Sequence, residues 1–154
     1  PYLAFDTAKG TAEKIASFYR KILAIPAEIE KKGKALSAKV LVGKNQHLYF
    51  NEIEGELPAY DGHHIQIYVV NFSGPHRQLN ERGLIFQESD QYQYRFKQLV
   101  DPDSGENIYE LEHEVRSVTH PLYARPLVNR NPAQTNRDYR PSLDSTPWGM
   151  GPGA

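Results

Sequence analysis

The periodicity of hydrophobic and polar positions changes along the chain, and each change marks a predicted element. Apolar residues recur at i, i+3, i+4 and i+7 as Ile15, Phe18, Tyr19 and Ile22, which predicts a helix that ends before Pro26. Residues 64–69 instead alternate between polar and apolar side chains, which is typical of a strand with one buried face. Turn-forming residues separate the other short apolar runs.

These elements occur twice in the same order. After a strand at 2–6 and the first helix come strands near 27–31, 36–42 and 46–52. After the strand at 64–69 and a short helix come strands near 84–88, 91–100 and 106–114. The sequence therefore predicts an α+β domain at 1–116. It has two βαβββ modules, at about 1–56 and 62–116, that form paired curved mixed sheets around a cavity. A generic α+β sandwich without a repeat is the alternative.

The periodic pattern stops after Arg116. Six of the 11 prolines fall at or after residue 121. We therefore predict an irregular, proline-rich tail at 117–154. Its polar residues favour a role in stabilising loops, and the alternatives are a lid over the cavity or a segment that binds a partner.

Composition limits the classes of function. A formal net charge of −1 over 154 residues gives no overall field that would attract nucleic acid or an anionic membrane. The absence of cysteine excludes disulfides, thiolate metal ligands and cysteine nucleophiles. No apolar run approaches the roughly 18 residues of a membrane helix. We expect a cytoplasmic protein whose partner is a small-molecule substrate, with no nucleic acid and no membrane.

Three short stretches carry a resemblance to a known family. They are Ser17–Leu23 (SFYRKIL), Asp61–Ile67 (DGHHIQI) and Asp101–Leu111 (DPDSGENIYEL). In this order they resemble a helix end, the start of the second module and the closing hairpin of the vicinal-oxygen-chelate superfamily. That superfamily includes glyoxalases, bleomycin-resistance proteins and extradiol dioxygenases. The resemblance implies paired modules, a cavity that can hold a divalent metal, and a homodimer.

The resemblance also implies two metal ligands. In this superfamily the fifth strand provides a histidine and the eighth a glutamate, and His64 and Glu110 match those positions. The two-residue period of a strand agrees, because it places both on the polar faces of their strands. Imidazole and carboxylate suit Fe(II) or Mn first, and Ni or Zn next. The alternatives are a hydrogen-bonded histidine near a strand end and a solvated carboxylate.

The first module departs from the superfamily pattern. Tyr49 occupies the position where glyoxalase-type sites use glutamate, and His47 lies on the same face. The first-strand ligand position falls at or just before Pro1. Two histidines and one carboxylate would form the facial triad that extradiol dioxygenases use. His47, Tyr49 or Tyr68 could then act as acid, base or hydrogen-bond donor.

The resulting prediction is a metal-dependent enzyme acting on a small, aromatic, diol-like substrate. Among the possible reactions, we favour that of an extradiol-type dioxygenase over that of a glyoxalase-type isomerase or lyase. The alternative is a metal-free binding protein that sequesters a drug or metabolite, as resistance proteins do, and Tyr49 in the glutamate position favours it. We interpret the charged run at 112–116 as a structural ionic cluster.

Overall fold

A computed structural model describes residues 1–123, which form two modules with the same order of elements. Module 1 contains β1 (Tyr2–Ala8), α1 (Ala12–Lys21), β2 (Ala27–Lys32), β3 (Ala35–Gly43) and β4 (Gln46–Ile53). Module 2 contains β5 (His64–Val69), α2 (Ser73–Glu81), β6 (Ile85–Asp90), β7 (Gln93–Val100) and β8 (Asn107–Ser117). The predicted α+β class and repeated βαβββ order are confirmed. Most of the predicted tail lies outside the described residues, and its role remains a prediction.

Each module contributes one four-stranded mixed sheet. Sheet A has the order β1-β4-β3-β2, and sheet B has the order β5-β8-β7-β6. In each sheet the first strand of the module runs parallel to the last, and the other pairs are antiparallel. Strands β1 and β5 are therefore edge strands, and the two sheets do not close on each other.

Helix α1 packs between the two sheets. Its predicted apolar stripe is buried. Phe18 meets Phe96 of β7 with 5.7 Å between ring centroids, and Tyr19 meets Phe50 of β4 at the same separation. The helix of module 1 therefore joins both sheets in one hydrophobic core.

Neither helix in the described part of the chain is long and apolar enough to cross a membrane.

This packing places the polar face of each sheet on the outside of the molecule. The core faces of β4 and β5 carry the buried side chains of Leu48, Phe50, Ile65 and Ile67. The alternate residues on the same strands point outward. They include four residues that the sequence analysis predicted as metal ligands or catalytic groups, namely His47, Tyr49, His64 and Tyr68. The candidate residues therefore lie on outer faces and at sheet edges.

Candidate ligand-binding site

A cavity of about 430 Å³ lies between the edge strands β1 and β5. It brings together two of the predicted residues, His47 from β4 and His64 from β5. Its other walls are mainly apolar, and the amides of Gln46 and Gln66 add two further polar groups. No aspartate, glutamate, lysine or arginine is among its lining residues, all of which belong to the described part of the chain. The cavity thus combines apolar walls with a few hydrogen-bonding groups.

Aromatic rings flank this cavity on the outer face of sheet A. The ring of Tyr49 lies 6.2 Å from the imidazole of His47 and 5.5 Å from the ring of Tyr2, measured between centroids. The parallel pairing of β1 with β4 places Tyr2 opposite His47. The predicted neighbours His47 and Tyr49 are therefore close together, although Tyr49 is not among the residues that line the cavity.

The structure separates Glu110 from the cavity that His64 lines. The parallel register pairs His64 with Glu112, so Glu110 lies two residues earlier on β8, beyond the start of β5. There it lines a different depression, together with His63 and other residues of the linker between the modules. Its carboxylate is 3.7 Å from the Lys97 Nζ. Both predicted ligands are on the outer side of sheet B, but joint binding of a metal by His64 and Glu110 remains a prediction.

Tyr68 lies at the other end of the outer face of sheet B. Its hydroxyl accepts a hydrogen bond from Arg116 Nη1 at 3.1 Å. Its ring is 5.2 Å from that of Tyr123 and 6.3 Å from the imidazole of His120. Burial, with a further contribution from the positive charge of Arg116, lowers the pKa of His120. Tyr68 is therefore held in an aromatic and cationic cluster away from the cavity that holds His47 and His64.

Four charged side chains occupy the centre of the same face. Arg95 donates to Glu112 Oε1 at 2.8 Å and also to Glu114, and Arg116 Nε donates to Glu114 Oε1 at 2.6 Å. The side chain of Glu114 is only 4% exposed, so its charge depends on these partners. The predicted ionic cluster at 112–116 is confirmed, with Arg95 as an additional member. Its two carboxylates are already paired with guanidinium groups.

Sequence reasoning missed the role of His113. This residue is fully buried between the modules. Its Nδ1 is 2.7 Å from the carbonyl oxygen of Leu111 and its Nε2 is 2.6 Å from the hydroxyl of Tyr19. Because a carbonyl can only accept, Nδ1 carries the proton and Nε2 accepts from Tyr19. Burial lowers the pKa of His113 to about 4. The signal was available in the alternation of β8, which places position 113 on the core face.

Comparison with known proteins identifies similar folds. No protein-family model matches the sequence, and no curated protein matches it. A possible glyoxalase from Bacillus cereus is 14% identical and aligns over 75% of this chain and 95% of its own, with a TM-score of 0.50. The fosfomycin resistance protein FosX from Mesorhizobium loti is 13% identical over 75% of this chain and 88% of its own, with a TM-score of 0.50. A mutant of FosX from Listeria monocytogenes, complexed with Mn(II) and 1S,2S-dihydroxypropylphosphonic acid, is 9% identical over 76% of this chain and 89% of its own, also with a TM-score of 0.50.

Proposed function

We propose that this chain, which has the fold of the vicinal-oxygen-chelate superfamily, binds a small organic molecule in the cavity between β1 and β5. The cavity is the observation that supports this proposal most strongly. Its volume of about 430 Å³ falls in the range of roughly 300–1,000 Å³ that is usual for small-molecule sites. Such sites combine mainly apolar walls with a few polar groups that fix the orientation of the ligand, and this cavity has that composition.

The lining favours an uncharged ligand that carries oxygen atoms. The imidazoles of His47 and His64 and the amides of Gln46 and Gln66 can donate and accept hydrogen bonds. A ligand with a full charge would lose hydration without gaining a carboxylate, lysine or arginine of the lining as its partner, which costs free energy. The small, aromatic, diol-like molecule suggested by the sequence satisfies both conditions.

A homodimer is the second part of the proposal. Both β1 and β5 are edge strands, and Tyr2 and Leu3 on β1 are 70% and 54% exposed. An exposed edge with apolar side chains is a site where another chain can pair. A second copy of this chain on these edges would cover the open side of the cavity and exclude water from the ligand.

A metal-dependent enzyme is the second candidate, and the presence of both His64 and His47 in the lining of one cavity favours it. A metal would hold two neighbouring oxygens of the substrate. Within residues 1–123, however, no three histidine, aspartate or glutamate side chains are grouped to hold a metal ion. His64 and Glu110 supply suitable donor types, but the donor set of this part of one chain is incomplete. Another ligand must come from a second copy or from residues outside this range.

In this second candidate the reaction is an extradiol-type dioxygenation or a glyoxalase-type isomerisation or lysis. His47 and Tyr49 could act as acid, base or hydrogen-bond donor, because their rings are 6.2 Å apart and His47 lines the cavity. Tyr68 is less well placed, since its hydroxyl is already bonded to Arg116. If Tyr68 takes part, it acts from the opposite end of this face.

Metal content distinguishes the two candidates. We expect the purified full-length protein to retain far less than one equivalent of metal after incubation with Fe(II), Mn, Ni or Zn in turn, because the described residues give an incomplete ligand set. Elemental analysis by mass spectrometry measures this for the wild type and for His64→Ala, Glu110→Ala and the control His76→Ala. Near-stoichiometric metal that is lost in the first two variants and kept in the control would establish the metal-dependent candidate.

A further inference from the structure

A second cavity, of about 420 Å³, lies between the start of α2 and the β6–β7 hairpin. Its lining includes Phe72, His76, Glu88, Asp90 and Tyr94. Side chains alternate along β7, so Tyr94 points to the core and α2, whereas Arg95 points to the outer face with Glu112 and Glu114. The cavity therefore lies on the opposite side of sheet B from the ionic cluster. It shares no lining residue with the cavity between β1 and β5.

The inner wall of this second cavity consists mainly of Phe72 and His76, which pack against the buried ring of Tyr94. The ring of Tyr94 is 4.9 Å from that of Phe72 and 5.1 Å from the imidazole of His76. Tyr94 is fixed in place, because it is only 1% exposed and its hydroxyl donates to the carbonyl oxygen of Phe72 at 3.2 Å. The faces of aromatic rings carry partial negative charge and attract cations. Tyr94 is itself covered, so the partly exposed ring of Phe72, held in place against Tyr94, is the surface that this wall offers to a positively charged group.

The rim of the cavity carries negative charge. The carboxylate of Glu88 contacts His76 Nε2, and the carboxylate of Asp90 accepts the backbone N–H of Tyr92 at 2.7 Å. Within residues 1–123, neither carboxylate forms an ion pair with a lysine or an arginine. The start of α2 adds no anionic group, because the neutral side chain of Asn71 accepts the N–H of Gly74 at 3.3 Å. Two carboxylates thus lie beside an aromatic wall without a strong cationic partner.

We propose that this second cavity binds a small organic cation, of the quaternary ammonium or primary amine class. The exposed part of the Phe72 ring would contact the alkyl groups around the nitrogen, and Glu88 and Asp90 would supply the opposite charge. A bare metal ion fits less well, because the described residues offer no group of three ligands here. The proposal rests on different residues from the proposed function, so either one can fail alone.

Choline and its uncharged carbon isostere, 3,3-dimethylbutan-1-ol, test the proposal on the full-length, isotope-labelled protein. We expect choline to shift the nuclear magnetic resonance signals of Ser73, Gln91 and Gln93, which line this cavity. The alcohol should bind to the wild type about tenfold more weakly than choline does. Choline should also bind about tenfold more weakly to the Glu88→Gln/Asp90→Asn double variant than to the wild type. Added salt should weaken the binding of choline, because exposed charges are screened. His47→Ala, in the other cavity, should leave the affinity for choline unchanged.

Three results would overturn the proposal. Equal affinity for choline and the alcohol would show that the cavity selects shape and not charge. Unchanged affinity for choline in the double variant would show that the carboxylates of Glu88 and Asp90 do not contribute to binding, provided that the thermal midpoint of the variant equals that of the wild type. No saturable shift of the cavity signals with choline would show that the cavity does not bind this class of cation.

Discussion

Replacing Phe96 with alanine is expected to lower the free energy of unfolding by about 3–5 kcal/mol. Phe96 is fully buried. Its ring stacks on the imidazole of His113 at 4.5 Å and meets Phe18 at 5.7 Å. It therefore fills the place where the helix of module 1 meets the sheet of module 2. Truncation would remove apolar contact area and leave a cavity that the surrounding strands and helix cannot easily close.

Phe86→Ala is the matched control, because Phe86 lies on the neighbouring strand β6 and is 50% exposed. We expect a change of about 1 kcal/mol or less for this variant. Urea unfolding of both variants and the wild type, with the slopes compared, measures the difference. Similar losses for the two variants would mean that the modules are not joined through Phe96 as described.

The second large effect is a loss of stability when the pH is lowered from about 6.5 to about 4. Burial lowers the pKa of His113 from 6.5 to about 4, so between these values the unfolded chain binds a proton more readily than the folded one. The contribution of the neutral imidazole is complete above about pH 6.5 and is lost as the pH falls through the folded pKa. The difference of about 2.5 pH units corresponds to roughly 3 kcal/mol at most.

A double variant, Tyr19→Phe/His113→Leu, removes both hydrogen-bonding partners together and so leaves no unpaired polar group from this pair. We expect urea midpoints at pH 7.5 and pH 5 to differ much less for this variant than for the wild type. Tyr19→Phe alone should cost about 1–3 kcal/mol at pH 7.5, because His113 Nε2 then loses its buried donor. His47→Ala should keep the wild-type pH dependence. A double variant as pH-sensitive as the wild type would exclude His113 as the cause.

The parts of the fold that depend on local pattern could be predicted from the sequence. The apolar stripe of α1 and the alternation on β5 are properties of a few neighbouring residues, and both appear in the structure as predicted. The repeat of the βαβββ order could be read for the same reason. The ionic cluster at 112–116 was likewise predicted from a local run of charged residues, although its partner Arg95 comes from another strand.

The arrangement of the candidate site could not be predicted in the same way. The two-residue period predicts on which face of the sheet a side chain lies. It does not predict which residue of the neighbouring strand pairs with it. The register of β5 against β8 pairs His64 with Glu112 and leaves Glu110 level with the chain before the start of β5. Similarly, the stripe of α1 is compatible with packing on one sheet or on two. Its position between the sheets places His113 in the core and turns the polar faces outward.

The central claim, a small-molecule site between β1 and β5, is tested most directly by nuclear magnetic resonance of the histidine imidazoles in the full-length protein. Catechol, hydroquinone and benzyl alcohol serve as uncharged aromatic probes, and His47→Ala and His64→Ala assign the two signals. We predict that at least one probe shifts the His47 and His64 signals in a saturable way and leaves those of His76 and the buried His113 unchanged. Either single variant should weaken that binding by about tenfold, the equivalent of one lost hydrogen bond. Binding that leaves the His47 and His64 signals in place, or no binding of any of the three probes, would contradict the proposed site.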